Sequence, residues 1–347
     1  MSLDDKVRMA CHRIEELYNE TNGKCYVSFS GGKDSTVLLA LIKMCQDIYT
    51  VGDIPAVFSN TGIEMQVIVD FVKWVKENWY PNVVTIRPEH PFPWVLEHEG
   101  KPLKSKLKAH DLHQWHYGKR SDKLLLLLLL RGQYGSDHFA SKHLIADKDM
   151  HMVSDDFPIK MSEKCCLWMK KKPFEKYAKD NGMAGCYQGI RMTEGGAREQ
   201  NYLVRVKNGG KPCTWLKHGV IQKAPIIDWA EDEIDEFIET YHVPLSKAYT
   251  EFNFKRTGCC ACPFALDLDR NLEYLFNHEP NRYKAMMFWL KDVYIAQNVK
   301  LPFDPGYERE RERKWATEYE PMRQEMLRKY RPNSRLIKQS TETKLFY

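Results

Sequence analysis

Residues 25–42, CYVSFSGGKDSTVLLALI, restrict this chain more than any other stretch. Residues 25–29 are β-prone and mostly apolar. They run straight into Ser30-Gly31-Gly32-Lys33-Asp34-Ser35. Residues 35–46 then read as a helix with Leu38, Leu39 and Leu41 turned to the core. Strand, glycine turn and helix open a parallel crossover unit, because parallel strands cannot be joined by a short hairpin. The alternation continues with a strand at 54–58, a helix at 64–79 and a strand at 83–86 ended by Pro88. Such a βαβαβ order implies a parallel sheet.

An opening helix at 4–18 places Val7, Cys11, Ile14 and Leu17 on one face, and Asn22-Gly23 is a turn. Residues 183–190 and 224–229 are candidates for further strands. Residues 230–241 form an acidic amphipathic helix, with Ile234, Phe237 and Ile238 to one side. A long helix follows at 272–297, and 302–306 break it before a charged tail. The expected fold is α/β: an open, mostly parallel twisted sheet with helices on both faces, plus a helical arm and a helical C-terminal extension. The expected division is an α/β domain from 1–90 and 157–265, an arm at 91–156 rich in lysine, histidine and tryptophan, and a charged extension at 266–347.

At 347 residues, with 43% hydrophobic and 29% charged side chains, the chain has the composition of a globular protein. The first twenty residues carry charges throughout and no apolar signal core. The leucine run at 124–130 falls far short of the about 20 residues that span a bilayer. The expectation is a soluble cytoplasmic protein without a membrane partner. A net charge of +5 permits an anionic ligand without requiring nucleic acid. The tail at 307–338 reads either as a solvated helix laced with ion pairs or, through RKYRPNSRLIK, as a face for nucleic acid or a partner.

The glycine turn has the chemistry of an anion cradle. Successive backbone N–H groups form a concave nest, and the helix start adds the positive end of its dipole. Gly31 and Gly32 admit close approach, Lys33 adds a point charge, and Ser30 and Ser35 can donate hydrogen bonds. A plain turn needs one glycine and no lysine. The pattern is neither G-x-x-x-x-G-K-[ST] nor G-x-G-x-x-G. Asn60, Thr61 and Gly62, in FSNTGIE after the second strand, either border a ligand at the carboxyl end of the sheet or cap the next helix. Gly189, Arg191 and Arg198, in and after GIRMTE, suit an anion or a surface ion pair. Ten cysteines are many for a cytosolic chain. Four fall in two groups, Cys165-Cys166 and Cys259-x-x-Cys262, readable as free thiols, a zinc site or an iron–sulfur site.

The sequence SGGKDS resembles the SGGxDS loop of the adenine-nucleotide α-hydrolases, or ATP pyrophosphatases. FSNTGIE resembles the DTG element of phosphoadenosine-phosphosulfate (PAPS) reductases, with Asn60 in place of aspartate. Residues 189–198 resemble their G-x-R-x-x-E…R element, and APIIDW at 224–229 their P-I-x-D-W segment. KCCLWMKKKP and GCCACP resemble the cysteine set of bacterial adenylyl-sulfate reductases and of the related DNA phosphorothioation enzyme. The resemblance implies that Ser30, Gly31, Gly32, Lys33, Asp34 and Ser35 hold the β,γ-pyrophosphate of ATP with Mg²⁺. It implies that Asn60, Thr61, Gly62, Gly189, Arg191 and Arg198 border the nucleotide, and that Lys33, Asp34 and Arg191 are catalytic. Cys165, Cys166, Cys259 and Cys262 would ligate a [4Fe–4S] cluster, with Cys260 spare.

Two departures matter. Sulfonucleotide reductases carry a catalytic cysteine in a C-terminal tail, and this sequence has none after Cys262. Their loop is usually degenerate, whereas SGGKDS is intact. The implied function is adenylation by ATP with pyrophosphate release, serving sulfur transfer to nucleic acid. A sulfur donor or partner protein is then also implied. The alternatives are a sulfonucleotide reductase that borrows an external thiol, and a non-catalytic Fe–S nucleotide sensor or complex subunit.

Overall fold

A computed structural model describes residues 1–48, 51–119, 143–194, 203–207, 209 and 212–338. The leucine run at 124–130 and Arg198 lie outside the described residues. The chain divides into two compact units, one from Met1–Pro91 and Leu167–Cys260, the other from Phe92–Cys166 and Ala261–Tyr347.

The first unit is built on six strands: β1 (Cys25–Phe29), β2 (Ala56–Ser59), β3 (Val83–Ile86), β4 (Gly185–Gln188), β5 (Thr214–Lys217) and β6 (Val220–Lys223). Their order is β3-β2-β1-β4-β6-β5. All neighbours are parallel except β5 and β6. Strand β1 is central, with Val27 opposite both Ala56 and Tyr187. The period of two separates the faces. Cys25, Val27, Phe29 and Tyr187 join the core made with α1 (Leu3–Glu20) and α2 (Lys33–Ile48), where Leu38, Leu39 and Leu41 are fully buried. Tyr26, Val57 and Cys186 face the other way, onto Phe174 and Tyr177 of the Lys172–Asp180 helix. The mostly parallel α/β sheet is the expected one.

Two sequence expectations are corrected. Residues 224–229 form turns and no strand, with Ile227 N–H bonded to Ala224 O and Trp229 N–H to Ile226 O. Pro225 has no N–H to give a ladder, and the run is apolar because Ile226, Ile227 and Trp229 are buried. The helix expected at 272–297 is two, Leu268–His278 and Pro280–Ala296, the second starting on a proline suited to a first helical turn. The β5–β6 hairpin escaped the sequence reading. Its two-residue turn has His218 at φ +51° and Gly219 at φ +78°, and histidine in place of the usual asparagine hides the signal.

Segment 225–229 is fastened to α1. Arg13 grips Asp228 with both guanidinium arms, at 2.7 and 3.0 Å, and donates to Pro225 O at 2.7 Å. Burial would raise the Asp228 carboxyl, but the Arg13 hydrogen bonds and charge overcome it and hold the group below the ordinary carboxylate range. Its stabilisation is therefore present above the unfolded carboxylate's pKa of about 4 and lost as pH falls through the lower folded value. Asp228→Ala should cost about 2 kcal/mol at neutral pH, and less in acid, in urea unfolding followed by circular dichroism.

In the second unit, helices Phe92–Glu99 and Lys106–Tyr117 precede a 3₁₀ turn at Asp147–Val153. That turn packs on the Glu320–Tyr330 helix. Arg331 and Ser334 both bond Asp147. Arg311, from the charged tail, is buried and bonds Glu308 and Asn298. Part of the tail's positive charge is thus internal. No helix among the described residues is long and apolar enough to cross a membrane.

Candidate functional site

From β1 the chain runs to β2 and β3 on one side and returns to β4 on the other. The gap between β1 and β4 is a topological switch point, and ligands of open α/β sheets bind outside the strand ends there. The Ser30–Ser35 loop stands at that point. Gly31 adopts φ +71°, and a Cβ on it would lie 2.9 Å from Ile68 Cγ2 of α3 (Gln66–Asn78). Conformation and space both exclude a side chain. Ser30 and Ser35 hydroxyls meet at 3.0 Å, and Ser35 Oγ and Thr36 Oγ1 donate to Gly32 O at 2.8 and 3.0 Å. The turn is held by its own hydroxyls.

Lys33, Asp34 and Arg191 are brought into one network. Arg191, 4% exposed, donates from Nε to Asp34 Oδ1 at 2.9 Å and from Nη2 to Glu231. Lys33 Nζ bonds Glu231 and, at 2.8 Å, Asp235. Burial opposes the Lys33 charge, but the two carboxylates prevail and hold the ammonium above its ordinary range. Burial lifts the Asp34 carboxyl above its ordinary value even against the Arg191 guanidinium. Glu231 joins Lys33 to the Arg191–Asp34 pair, although the sequence marked it only as part of an acidic helix. Gly189 has a packing reason. Its Cβ would fall 2.8 Å from Asp34 O and 2.9 Å from Ser35 Cα, so β4 abuts the loop directly. Gly189→Ala should lower stability by about 1–3 kcal/mol through backbone displacement, seen as a fall in the thermal midpoint.

After β2, Asn60 Oδ1 accepts the Gly62 N–H at 3.0 Å. Glu64, 4% exposed, accepts the Thr61 N–H at 3.0 Å and its hydroxyl at 2.6 Å. Asn60, Thr61 and Gly62 thus build a turn that supports Glu64. A cavity of about 750 Å³ opens beside it, lined by Ser30, Ser59, Glu64, Gln188, Gln222 and Thr257 among others. Lys170, Lys171, Lys179 and Lys217 also face it, against Glu64 and Glu175. This balance suits an anion with polar edges. Cys186 on its wall is a neutral thiol, pushed up to about 12 by burial. Sequence reasoning missed Gln188, Gln222 and Glu64 as site residues, because isolated amides and a lone acid carry no spacing signal.

Tyr249 and Thr257, which the sequence reading did not mark as site residues, touch the loop. Tyr249 Oη accepts the Lys33 backbone N–H at 3.1 Å and meets Thr257 Oγ1 at 2.9 Å. Further on, Cys259 bridges the Glu64 backbone, and Cys260 N–H donates to Ile63 O at 2.7 Å. Cys11, Cys25, Cys45, Cys186 and Cys213 are buried free thiols. Cys166, Cys259 and Cys262 are half-buried, whereas Cys165 and Cys260 are buried. Cys259 belongs to the first unit, and Cys165, Cys166 and Cys262 belong to the second. Among the described residues, neither unit contains by itself a group of three or more histidine, cysteine, aspartate or glutamate side chains placed to hold a metal ion.

The phosphoadenosine phosphosulfate reductase domain family matches residues 24–123 and 136–265. The chain belongs to that family. The matched residues of this PAPS reductase domain include the glycine loop, Arg191 and the four thiols of the two cysteine groups. An uncharacterized protein of Methanocaldococcus jannaschii is 24% identical over 259 residues, which cover 74% of this chain and 46% of that protein. The match thus spans less than half of that relative's length. A phosphoadenylyl-sulfate reductase from Candida auris, solved with phosphate, is similar at TM-score 0.41 and 14% identity over 75% of this chain and 96% of that one. A U34-tRNA thiolase from Methanococcus maripaludis, solved with its [4Fe–4S] cluster, is similar at TM-score 0.37 and 14% identity over 86% of this chain and 82% of that one.

Proposed function

We propose that this PAPS reductase-family chain is an enzyme that binds ATP with Mg²⁺ and adenylates an acceptor oxygen, preparing that position for sulfur. The observation that carries the reading is the intact Ser30–Ser35 loop, held at the switch point with Gly31 in the left-handed region. The acceptor oxygen attacks the α-phosphorus, the bond from that phosphorus to the β-bridging oxygen breaks, and pyrophosphate leaves with the electron pair. The acceptor's proton passes to solvent. The loop N–H groups and Lys33 take up the charge that grows on the leaving group. For Lys33 this means exchanging Glu231 and Asp235 for phosphate. Arg191 holds the loop's own Asp34. The lysines along the cavity favour a polyanionic acceptor, and nucleic acid is the acceptor proposed.

Four cysteine thiolates are the donor chemistry of an iron–sulfur cluster, and Cys165, Cys166, Cys259 and Cys262 would hold it. Such a cluster supplies iron able to bind or activate sulfur. Its visible absorbance after anaerobic purification should be lost in Cys165→Ser.

The test is anaerobic incubation with ATP and Mg²⁺, with and without DNA or tRNA, followed by pyrophosphate assay. Release should fall on the order of 10²-fold in Lys33→Ala. Unchanged release in that variant would sink the reading. The family match itself favours a second reading, sulfonucleotide reduction with an external thiol, in which sulfite is released from PAPS or adenylyl sulfate and ATP is left intact.

A further inference from the structure

Three hydroxyls crowd the concave side of the glycine loop. Measured from where a Cβ on Gly32 would stand, Thr257 Oγ1 is at 3.0 Å, Ser30 Oγ at 3.2 Å and Tyr249 Oη at 3.3 Å. Two of them already bond the loop backbone: the Gly32 N–H donates to Ser30 Oγ at 3.3 Å, and the Lys33 N–H donates to Tyr249 Oη at 3.1 Å. That N–H opens α2 and is among the donors an anion would use. It has one hydrogen and cannot serve two acceptors at full strength. Burial pushes the Tyr249 phenol up, so its oxygen is neutral at physiological pH. A phosphate oxygen carries negative charge and is the stronger acceptor.

We infer that the Tyr249–Thr257 hydroxyl pair is a built-in competitor for phosphate, holding the Lys33 N–H until an anion displaces it. The displaced phenol retains a partner in Thr257 Oγ1, 2.9 Å away, so release leaves no buried hydroxyl unsatisfied. The pair thereby sets the loop's selectivity. A weak or singly charged acceptor gains little over a neutral phenol, whereas the end of a di- or triphosphate gains a charge-assisted bond. Thr257 lines the cavity, so the exchange happens at its wall. The inference rests on the phosphate-binding reading of the loop.

Titration of the full-length protein with magnesium pyrophosphate by calorimetry tests it. Tyr249→Phe deprives the Lys33 N–H of its acceptor in the free protein, so pyrophosphate should bind about three- to tenfold more tightly than to wild type. Thr257→Val, which leaves the displaced phenol without its hydroxyl partner, should instead weaken pyrophosphate binding, and unchanged or tighter binding there would count against the inference. Weaker or unchanged binding in Tyr249→Phe would overturn the inference and leave the phosphate reading standing, because the phenol would then be a phosphate ligand or a bystander. No binding by any of the three proteins would remove both. Thermal unfolding checks that each variant folds, and Thr257→Val decides alone if Tyr249→Phe does not.

Discussion

Arg191→Met is expected to cost about 3–5 kcal/mol of stability and to abolish the proposed ATP cleavage. Methionine roughly keeps the buried volume, so the loss comes from charge. Arg191 bonds Asp34, Glu231 and, at 3.2 Å, Thr193 Oγ1 from a position 4% exposed. Without it, Asp34 keeps its burial and loses its main cationic partner. The Asp34 carboxyl already sits above its ordinary value, and the variant should raise it further. A buried carboxyl with a raised folded pKa binds protons more readily folded than unfolded. The variant's stability should therefore fall as pH rises through the range just above the ordinary carboxylate value. Arg191→Lys should recover only part, since one ammonium cannot reproduce the planar fork. Urea unfolding with unchanged slope reads the effect. A cost below about 1 kcal/mol, the scale of an exposed pair, would mean that the pair is effectively solvated.

Acid should weaken the second unit through His151. Its imidazole is fully buried, enclosed by Phe157, Trp315 and Tyr319 with ring centroids at 5.9, 4.8 and 5.3 Å. Nε2–H donates to Ala296 O at 2.8 Å, and Nδ1 has no partner. Burial lowers its pKa from 6.5 to about 4, against the pull of the Ala296 carbonyl and Asp149 and with help from Lys104 and Arg323. The fold thus keeps this histidine neutral while the unfolded chain protonates it. Stability is full above pH 6.5 and falls as pH drops toward 4, by about 3 kcal/mol in all. His151→Phe should remove that slope. If wild type and variant lose midpoint equally between pH 7 and pH 4.5, the buried neutral histidine is not the cause.

The legible parts of this protein are its local ones. The strand, glycine turn and helix at 25–48 follow from alternation, a Gly-Gly pair and a leucine face, each confined to a dozen residues. The hairpin at 214–223 was missed because His218 takes the left-handed conformation without the usual turn residue. Residues 224–229 misled because an apolar run looks the same in a buried strand and a buried turn. Asn60 and Thr61 could be read as ligands or caps, and the hydrogen bonds at Gly62 and Glu64 show their role in the turn.

By itself the sequence determined the parallel α/β class, the glycine turn between strand and helix and the family to which the chain belongs. These depend on residue types at short spacing, where steric rules and periodicity act directly. Only the tertiary structure decided that Lys33 is paired with Glu231 and Asp235, that Arg191 grips Asp34, that Tyr249 takes the Lys33 N–H, and that Gly189 is small because β4 meets the loop there. Those pairings join residues up to 216 positions apart. No local propensity encodes them; they arise when the sheet order brings distant chain segments to one end of β1.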